Sequence, residues 1–367
     1  MKFFSHIKNL IDFSRLPKQS RRLTFYSEGK NYWPHLEGLI REVLVLSDHT
    51  VTYVSSDEND PGLYFEHPNY IAFLIDEGFV RNWFFENIET DVMVMTMPDI
   101  DQFQVKRSKN NVHYVYVQHS LVSLHMVYRE GAFDFYDTIF CAGPHHVSEI
   151  RAIEKLRNLP KKELVEHGYA RLDSILAEAK IRTKENAPNV PLHALIAPSW
   201  GDNGTIESGA GIKLVAGLLN QGYRVTLRPH PQTVKFYSSM VNSIVEKFSG
   251  NLMFSYERNV AGQDSLHDSD FMISDWSGAA LDYAFGLKKP VLFVDVPRKV
   301  NNHNYQDIEI EPFEVGIRSK VGSIIDVDSL VFEQLLIEGQ INFDDLVFNL
   351  GTSNNVGARY LINLLDS

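Results

Sequence analysis

Cysteine is almost absent: Cys141 is the sole one in 367 residues. That excludes an intrachain disulfide and a cysteine-rich metal site. Cys141 lies in the apolar run Thr138-Ile-Phe-Cys-Ala and reads as a small core residue rather than a nucleophile. No apolar run approaches the roughly 18 residues that a membrane-spanning helix needs. The opening segment has polar breaks and no convincing cleavage site, so a signal peptide is not expected. The cytoplasm is the default location. An excess of basic charge is also lacking. The net charge of −12 argues against a general nucleic-acid binder, which would carry a basic face. There is no Walker loop and no Gly-x-Ser-x-Gly elbow, and no pair of side chains has convincing metal-ligand spacing. What remains is 44% hydrophobic and 22% charged, ordinary for a globular chain and long enough for two domains.

Residues 1–22 depart from the acidic average. Lys2, Lys8, Arg15, Lys18, Arg21 and Arg22 stand against Asp12 alone. Phe3, Phe4, Ile7, Leu10, Ile11 and Ser14 recur at helical spacing. A basic amphipathic helix of this kind either lies on an anionic membrane surface or packs on the body of the protein with its basic face solvated.

Beyond it, strands and helices alternate. Leu23–Tyr26, Val51–Val54, Tyr70–Leu74, Val92–Met95, Tyr114–Val117 and Ile139–Ala142 read as strands, and Trp33–Leu46 as a helix. Continuous apolar runs suit a parallel sheet covered on both faces. The polar stretch Lys180–Pro191 holds two prolines and reads as a linker. After it the alternation is cleaner. Strands are expected at Leu192–Ala197, Tyr223–Leu227, Leu252–Tyr256, Phe271–Ser274 and Val291–Val294. Helices are expected at Glu207–Leu219, Val234–Phe248 and Gly278–Gly286. This is a doubly wound α/β pattern, whose ligand belongs beyond the carboxyl ends of the strands.

Three loops fall on that edge of the second half. Pro198-Ser-Trp200-Gly-Asp-Asn-Gly-Thr205 is glycine-rich and lets backbone approach a ligand. In Arg228-Pro-His230-Pro231, two prolines stiffen a histidine beside an arginine. That set suits a diphosphate, or else the histidine lies idle in a surface loop. Ser274-Asp275-Trp-Ser277-Gly278 runs from a buried strand into a helix. Free N–H groups at the helix start favour an anion; alternatively, Asp275 or Ser277 merely caps the helix. In the first half, Gln118-His119-Ser120 leaves an apolar strand for a polar loop. His119 has the chemistry of a general base near neutrality, or is satisfied by local hydrogen bonds. His125, His145 and His146 are weaker candidates.

At these residues the sequence resembles the CDP-glycerol glycerophosphotransferase family of teichoic acid polymerases and primases, from about Tyr114 to about Leu330. Gln118-His119-Ser120 stands where that family has Trp-His-Gly-Thr. Glu166-His-Gly168-Tyr-Ala-Arg171-Leu-Asp173 resembles its Thr-Gly-Tyr-Pro-Arg-x-Asp. Ala197-Pro-Ser-Trp200 resembles Pro-Thr-Trp, and Arg228-Pro-His230-Pro231 resembles Arg-x-His-Pro. Ser274-Asp275-Trp-Ser277-Gly278 with Asp282-Tyr283 resembles Thr-Asp-Tyr-Ser-Ser followed by Phe-Asp-Tyr.

The resemblance implies a GT-B fold, two Rossmann-like domains facing a cleft. Residues 23–180 would bind the acceptor and residues 191–345 the nucleotide donor, with residues 346–367 a helix packing back on the first domain. It implies transfer of glycerophosphate or a related phosphopolyol from CDP-glycerol, or another cytidine-nucleotide donor, to a glycan or lipid-linked acceptor, with CMP leaving. His119 would be the base and His230 a second catalytic group. Trp200, Arg228, His230, Ser274, Asp275, Ser277, Gly278 and Asp282 would hold the donor, and Glu309 or Glu311 would touch ribose or base. No metal or cofactor is implied. The expected place is the cytoplasm, peripheral to the inner face of the membrane.

Two departures stand out. Ser120 replaces a glycine, with no lysine a few residues on, and Gly278 replaces the second serine. A Gln-His pair also fits a glycosyltransferase using CMP-Kdo or another nucleotide sugar for capsule or lipopolysaccharide. A nucleotide-sugar 2-epimerase shares the two-domain form, and a non-catalytic glycan-binding member would keep the fold without turnover.

Overall fold

The computed structural model describes residues 2–76, 78–182, 190–260, 262–327 and 345–367, with side chains from residue 5 onward. Most of the stretch read as a linker, 183–189, lies outside them, as do residues 328–344 of the second half and the side chains of Phe3 and Phe4.

Two parallel sheets carry the chain. The first joins β1 (Leu23–Ser27), β2 (Val51–Ser55), β3 (Tyr70–Leu74), β4 (Val92–Met95), β5 (His113–Val117), β6 (Thr138–Cys141) and β7 (Glu163–Glu166) in the order β3-β2-β1-β4-β5-β6-β7. The second joins β8 (His193–Ile196), β9 (Arg224–Leu227), β10 (Phe254–Tyr256), β11 (Phe271–Ser274), β12 (Val291–Val294) and β13 (Gly322–Ile325) as β10-β9-β8-β11-β12-β13. Each follows Rossmann order, reversing direction beside its first strand, where a crevice opens at the carboxyl edge. The inner strands β1, β2, β4, β6, β8, β11 and β12 are buried at every residue. This explains the unbroken apolar runs of β4 and β12.

Helices cover both faces: α1 (Lys2–Arg15), α2 (Trp33–Leu46), α3 (Phe79–Asn87), α4 (Pro144–Arg157) and α5 (Ala170–Ile181) in the first half. In the second half come α6 (Ala210–Asn220), α7 (Pro231–Phe236), α8 (Ser238–Phe248), α9 (Asp264–Asp268), α10 (Gly278–Leu287) and α11 (Phe313–Val321), then α12 (Ser353–Asp366). The single helix expected over Val234–Phe248 is broken at Tyr237 (φ −124°, ψ 36°), whose hydroxyl bonds Asp202 in the loop after β8. The strands β7 and β13 carry no expectation from sequence. Both lie at the edge of a sheet, and β7 buries none of its four residues fully.

α1 packs on β3 and α3. Phe13 is 2% exposed and meets Phe73 and Phe84 edge-on, and Asn9 bonds the Leu74 carbonyl. Lys8 and Arg15 face outward. Among the described residues no helix is long and apolar enough to cross a membrane.

The halves are fastened by α5 against α10. A Cβ on Gly286 would lie 2.6 Å from Ile175 Cγ2, so glycine there permits the close crossing. Leu172, Ile175, Leu281 and Phe285 are buried at this seam, each contributing about 1.5–3 kcal/mol of apolar burial. Two residues of α5 face opposite ways. Arg171 donates to Asp282 across the seam at 3.1 Å. Asp173 accepts from Gly351 N, Ser353 N and Ser353 Oγ (2.7, 2.7 and 2.6 Å), tying down the start of α12. α12 lies on the first sheet's α2, with Ala358 and Leu361 in that sheet's core. Gly168, at φ +97°, has the Phe348 carbonyl 2.3 Å from where a Cβ would stand. Only glycine fits that turn.

Candidate active site

The second sheet's reversal point lies between β8 and β11, and their carboxyl-end loops are stitched together. Asp275 is 1% exposed. It accepts from Ser199 N at 2.6 Å, Thr205 N at 3.1 Å and Thr205 Oγ1 at 2.7 Å. Ser274 Oγ donates to Ala197 O at 2.8 Å. Arg228, pushed down to about 10 by burial, gives its guanidinium to Ser265 Oγ and to the carbonyls of Val260 and Gly262. Asp282 is buried and raised to about 6, burial outweighing its Arg171 partner. These four residues shape the edge, and their side chains are turned into the protein.

The groups facing outward are different. His230 accepts at Nδ1 from Gln232 N at 3.1 Å. Its proton therefore sits on Nε2, which is left as a donor. Burial, then Lys299, pushes its pKa down to about 3, so the ring stays neutral. It stacks on Trp200 (6.0 Å between centroids), whose indole also carries Lys299 Nζ at 4.7 Å. Lys299 is lowered to about 8 by burial, with Asp275 and Glu207 opposing. Its ammonium has no salt-bridge partner among the described residues. A neutral N–H donor and a cation thus share one aromatic platform. Lys299 carries no expectation from the sequence; its signal was its place just beyond β12, on the same carboxyl edge.

Next to this platform α10 begins. Ser277 is its N-cap, Oγ accepting from Ala279 N at 3.3 Å. Across the cleft stands the turn after β5. His119 is half-buried, and its imidazole is enclosed by the rings of Tyr32, His35, Tyr116 and Tyr128. Tyr116 Oη lies 3.1 Å from Nδ1 and Tyr128 Oη 3.3 Å from Nε2. Tyr169 Oη donates to the His119 carbonyl at 3.0 Å. Burial lowers the imidazole to about 4, leaving it neutral and able to accept a proton at pH 7. His35, from the first turn of α2, is buried, has no partner for Nδ1 among the described residues and stacks on Tyr169. The sequence reads His35 only as part of an amphipathic helix.

The structure thus brings Ser120, the residue after His119, against Gly278, and groups Trp200 with His230. Glu309 and Glu311 are exposed on the approach to α11, with no contact to that group. His145, half-buried, and His146, buried, are supports, bonding the carbonyls of Leu121 and Val122. His125 pairs with the buried Glu149 at 3.4 Å. Burial raises the Cys141 thiol to about 12, an unreactive group. Among the described residues no cluster of His, Cys, Asp and Glu has the form of a metal site. A cavity of about 890 Å³ opens between α2, α5, the start of α12 and the residues Asn259, Gly262 and Gln263. Neither His119 nor His230 lines it, so the candidate site rests on the apposed loops rather than on that cavity.

Comparison with solved structures finds this two-sheet form in enzymes of nucleotide-linked chemistry. The wall teichoic acid polymerase TagF, in one variant form, aligns over 100% of this chain and 96% of its own at 15% identity, with TM-score 0.61. The UDP-GlcNAc 2-epimerase of Methanocaldococcus jannaschii, in complex with UDP-GlcNAc and UDP, aligns over 94% and 99% at 12% identity, TM-score 0.56. S. aureus MnaA with UDP aligns over 95% and 98% at 11% identity, TM-score 0.53. At these identities the likeness is one of fold, GT-B. No curated protein sequence matches the chain. The family profile for CDP-Glycerol:Poly(glycerophosphate) glycerophosphotransferase matches residues 103–307, a span that holds β5, the seam helices and the loops of Trp200, His230, Ser277 and Lys299. With more than half of its length inside that match, the chain belongs to the CDP-glycerol:poly(glycerophosphate) glycerophosphotransferase family.

Proposed function

We propose that the protein transfers glycerophosphate, or a related phosphopolyol, from a CDP-activated donor to a hydroxyl of a cell-surface glycan or teichoic-acid-like polymer, releasing CMP. One observation carries this reading. The helix start at Ser277-Gly278, on the donor-side sheet, stands directly opposite the His119 turn of the other sheet. The acceptor oxygen attacks the β-phosphorus, the bond from that phosphorus to the bridging oxygen breaks, and CMP leaves with the electron pair. The acceptor's proton passes to His119, neutral before the step. The His230 Nε2–H, the Lys299 ammonium, Ser277 and the N–H groups at the start of α10 meet the diphosphate. Fixed donors of this kind stabilise charge as it develops. Trp200 and the exposed Glu309 or Glu311 are left for ribose and base. Arg228, Ser274, Asp275 and Asp282 act by holding the loops in place.

The same fold serves 2-epimerases, which in this reading would need free acid and base carboxylates. Here Asp275 and Glu314 have both carboxylate oxygens bonded to protein donors. The polar cavity beside α2, with Asn59, Asn354, Asn355 and Gln263 on its wall, has amides suited to the hydroxyls of an acceptor chain. Membrane attachment through residues 1–22 belongs to the same proposal, with Lys8 and Arg15 already facing out.

The test offers CDP-glycerol, CDP-ribitol, CMP-Kdo and UDP-sugars with membrane-glycan extract and reads products by mass spectrometry. CMP from a CDP-polyol, with the phosphopolyol added to glycan, is expected. His119→Ala should slow it about 100-fold or more with CMP affinity unchanged. CMP released only from CMP-Kdo would make the protein a glycosyltransferase, and full turnover by His119→Ala would remove the base.

A further inference from the structure

The residue after the proposed base fills a place that belongs to the opposite domain. A Cβ built on Gly278 would stand 2.3 Å from Ser120 Oγ, well inside contact distance. Gly278 does not have a positive φ, so its backbone does not demand glycine. In the first turn of a helix, glycine without such a demand costs stability relative to alanine. What it provides here is space, and that space holds the Ser120 hydroxyl.

Ser120 is poorly committed within its own domain. Its oxygen receives Val122 N only at a long 3.4 Å, and its O–H has no acceptor among the described residues. Beside it is the backbone of Gly278, whose N–H has no intramolecular acceptor among the described residues. The two departures noted in the sequence, serine for glycine at 120 and glycine for serine at 278, therefore meet at one point.

We infer that Ser120 is a substrate-contacting residue, its hydroxyl donating to a non-bridging oxygen of the donor phosphate held at the start of α10. This rests on the transfer reading above. Because Ser120 adjoins His119, the contact sets the phosphorus against the base. It acts on the phosphate being transferred rather than on the CMP portion. The Gly278 gap then exists to admit Ser120, and the pair works as a unit.

The experiment compares Ser120→Ala, Gly278→Ser and the exchanged double variant Ser120→Gly/Gly278→Ser with the wild-type protein. It measures CDP-glycerol turnover, separate calorimetric affinities for CDP-glycerol and CMP, and melting temperature. Ser120→Ala should lose tenfold or more in turnover and weaken CDP-glycerol, with CMP affinity within twofold and melting unchanged. Gly278→Ser alone should lose at least as much turnover, because its side chain displaces the Ser120 hydroxyl. The exchanged variant should recover most of that loss. Two outcomes overturn the inference while leaving the transfer reading intact. One is turnover and CDP-glycerol affinity by Ser120→Ala within twofold of wild type; the other is an exchanged variant no better than Gly278→Ser. If the wild-type protein binds no CDP-polyol, the transfer reading falls and takes this inference with it.

Discussion

Acid should unfold this protein at a pH where most domains remain folded, and buried imidazoles set the size of the effect. His146, His167 and His193 are 0%, 1% and 5% exposed, and burial holds each near a pKa of about 4. In the unfolded chain each takes up its proton near 6.5. Between those values the unfolded state binds more protons, so stability is complete above pH 6.5 and drains as pH falls toward 4. At pH 5 each group costs about 2 kcal/mol, and the three together about 6 kcal/mol. Asp282 works in the opposite sense. Its folded pKa of about 6 lies above the unfolded value, so its protonation below pH 6 returns about 1 kcal/mol. From these four groups alone the loss is about 5 kcal/mol, a large part of a typical total of 5–15 kcal/mol, and the lowered imidazoles of His119 and His230 add to it. Urea unfolding followed by the fluorescence of the four tryptophans at pH 7.5, 6 and 5 reads it directly. His167→Gln should flatten the profile by about 2 kcal/mol between pH 7 and 5, whatever it costs at pH 7. Constant stability from pH 7.5 to 5, or an unchanged slope in His167→Gln, would refute the reasoning.

Three other outcomes are expected. His230→Ala and Ser277→Ala should each weaken CDP-glycerol about tenfold, the scale of one charge-assisted hydrogen bond; titration calorimetry giving wild-type affinity in both would remove these residues from the donor site. Arg171→Ala leaves the Asp282 carboxylate buried without its cation, which should cost about 3–5 kcal/mol. Arg171→Leu with Asp282→Leu should be far milder, and thermal melts that rank the two the other way would show the ion pair is not what fastens the seam. Deleting residues 1–22 should reduce sedimentation with anionic vesicles, and it should also lower the melting temperature because Phe13 leaves a core of Phe73 and Phe84. Equal sedimentation would leave α1 a packing helix alone.

Much of the architecture was legible because the sheets are buried on both faces. Runs such as Val92–Met95 and Val291–Val294 have no polar interruption, and Trp33–Leu46 shows its inner face at helical spacing. The edge strands escaped because they are not buried in that way: Glu163–Glu166 begins and ends with glutamate, and Gly322–Ile325 is half solvent-facing. The loops bearing His119, Trp200, His230 and Ser277 were visible because a strand's end locates them. Which way a polar side chain turns was not visible. Asp275 and Arg228 carry the chemistry of ligands, yet their partners are backbone and hydroxyl groups of neighbouring loops, seventy and thirty-two residues away for Thr205 and Val260. Lys299 and His35 were hidden for the opposite reason. Nothing local distinguishes a lysine after a strand or a histidine on a helix until tertiary packing sets an indole or a second imidazole beside it.

The grip of Asp173 on the first turn of α12 also dictates an order of assembly. The first sheet is synthesised early, but Ala358 and Leu361, which close the outside of its α2 layer, come after the whole second sheet. Its apolar flank at Leu39 and Val43 therefore waits, uncovered, while about two hundred further residues are made. A chain stopped short of residue 353 would keep every donor-side loop and still fail in the half that holds His119. Chaperone dependence and sensitivity to late nonsense mutations should thus fall on the domain translated first.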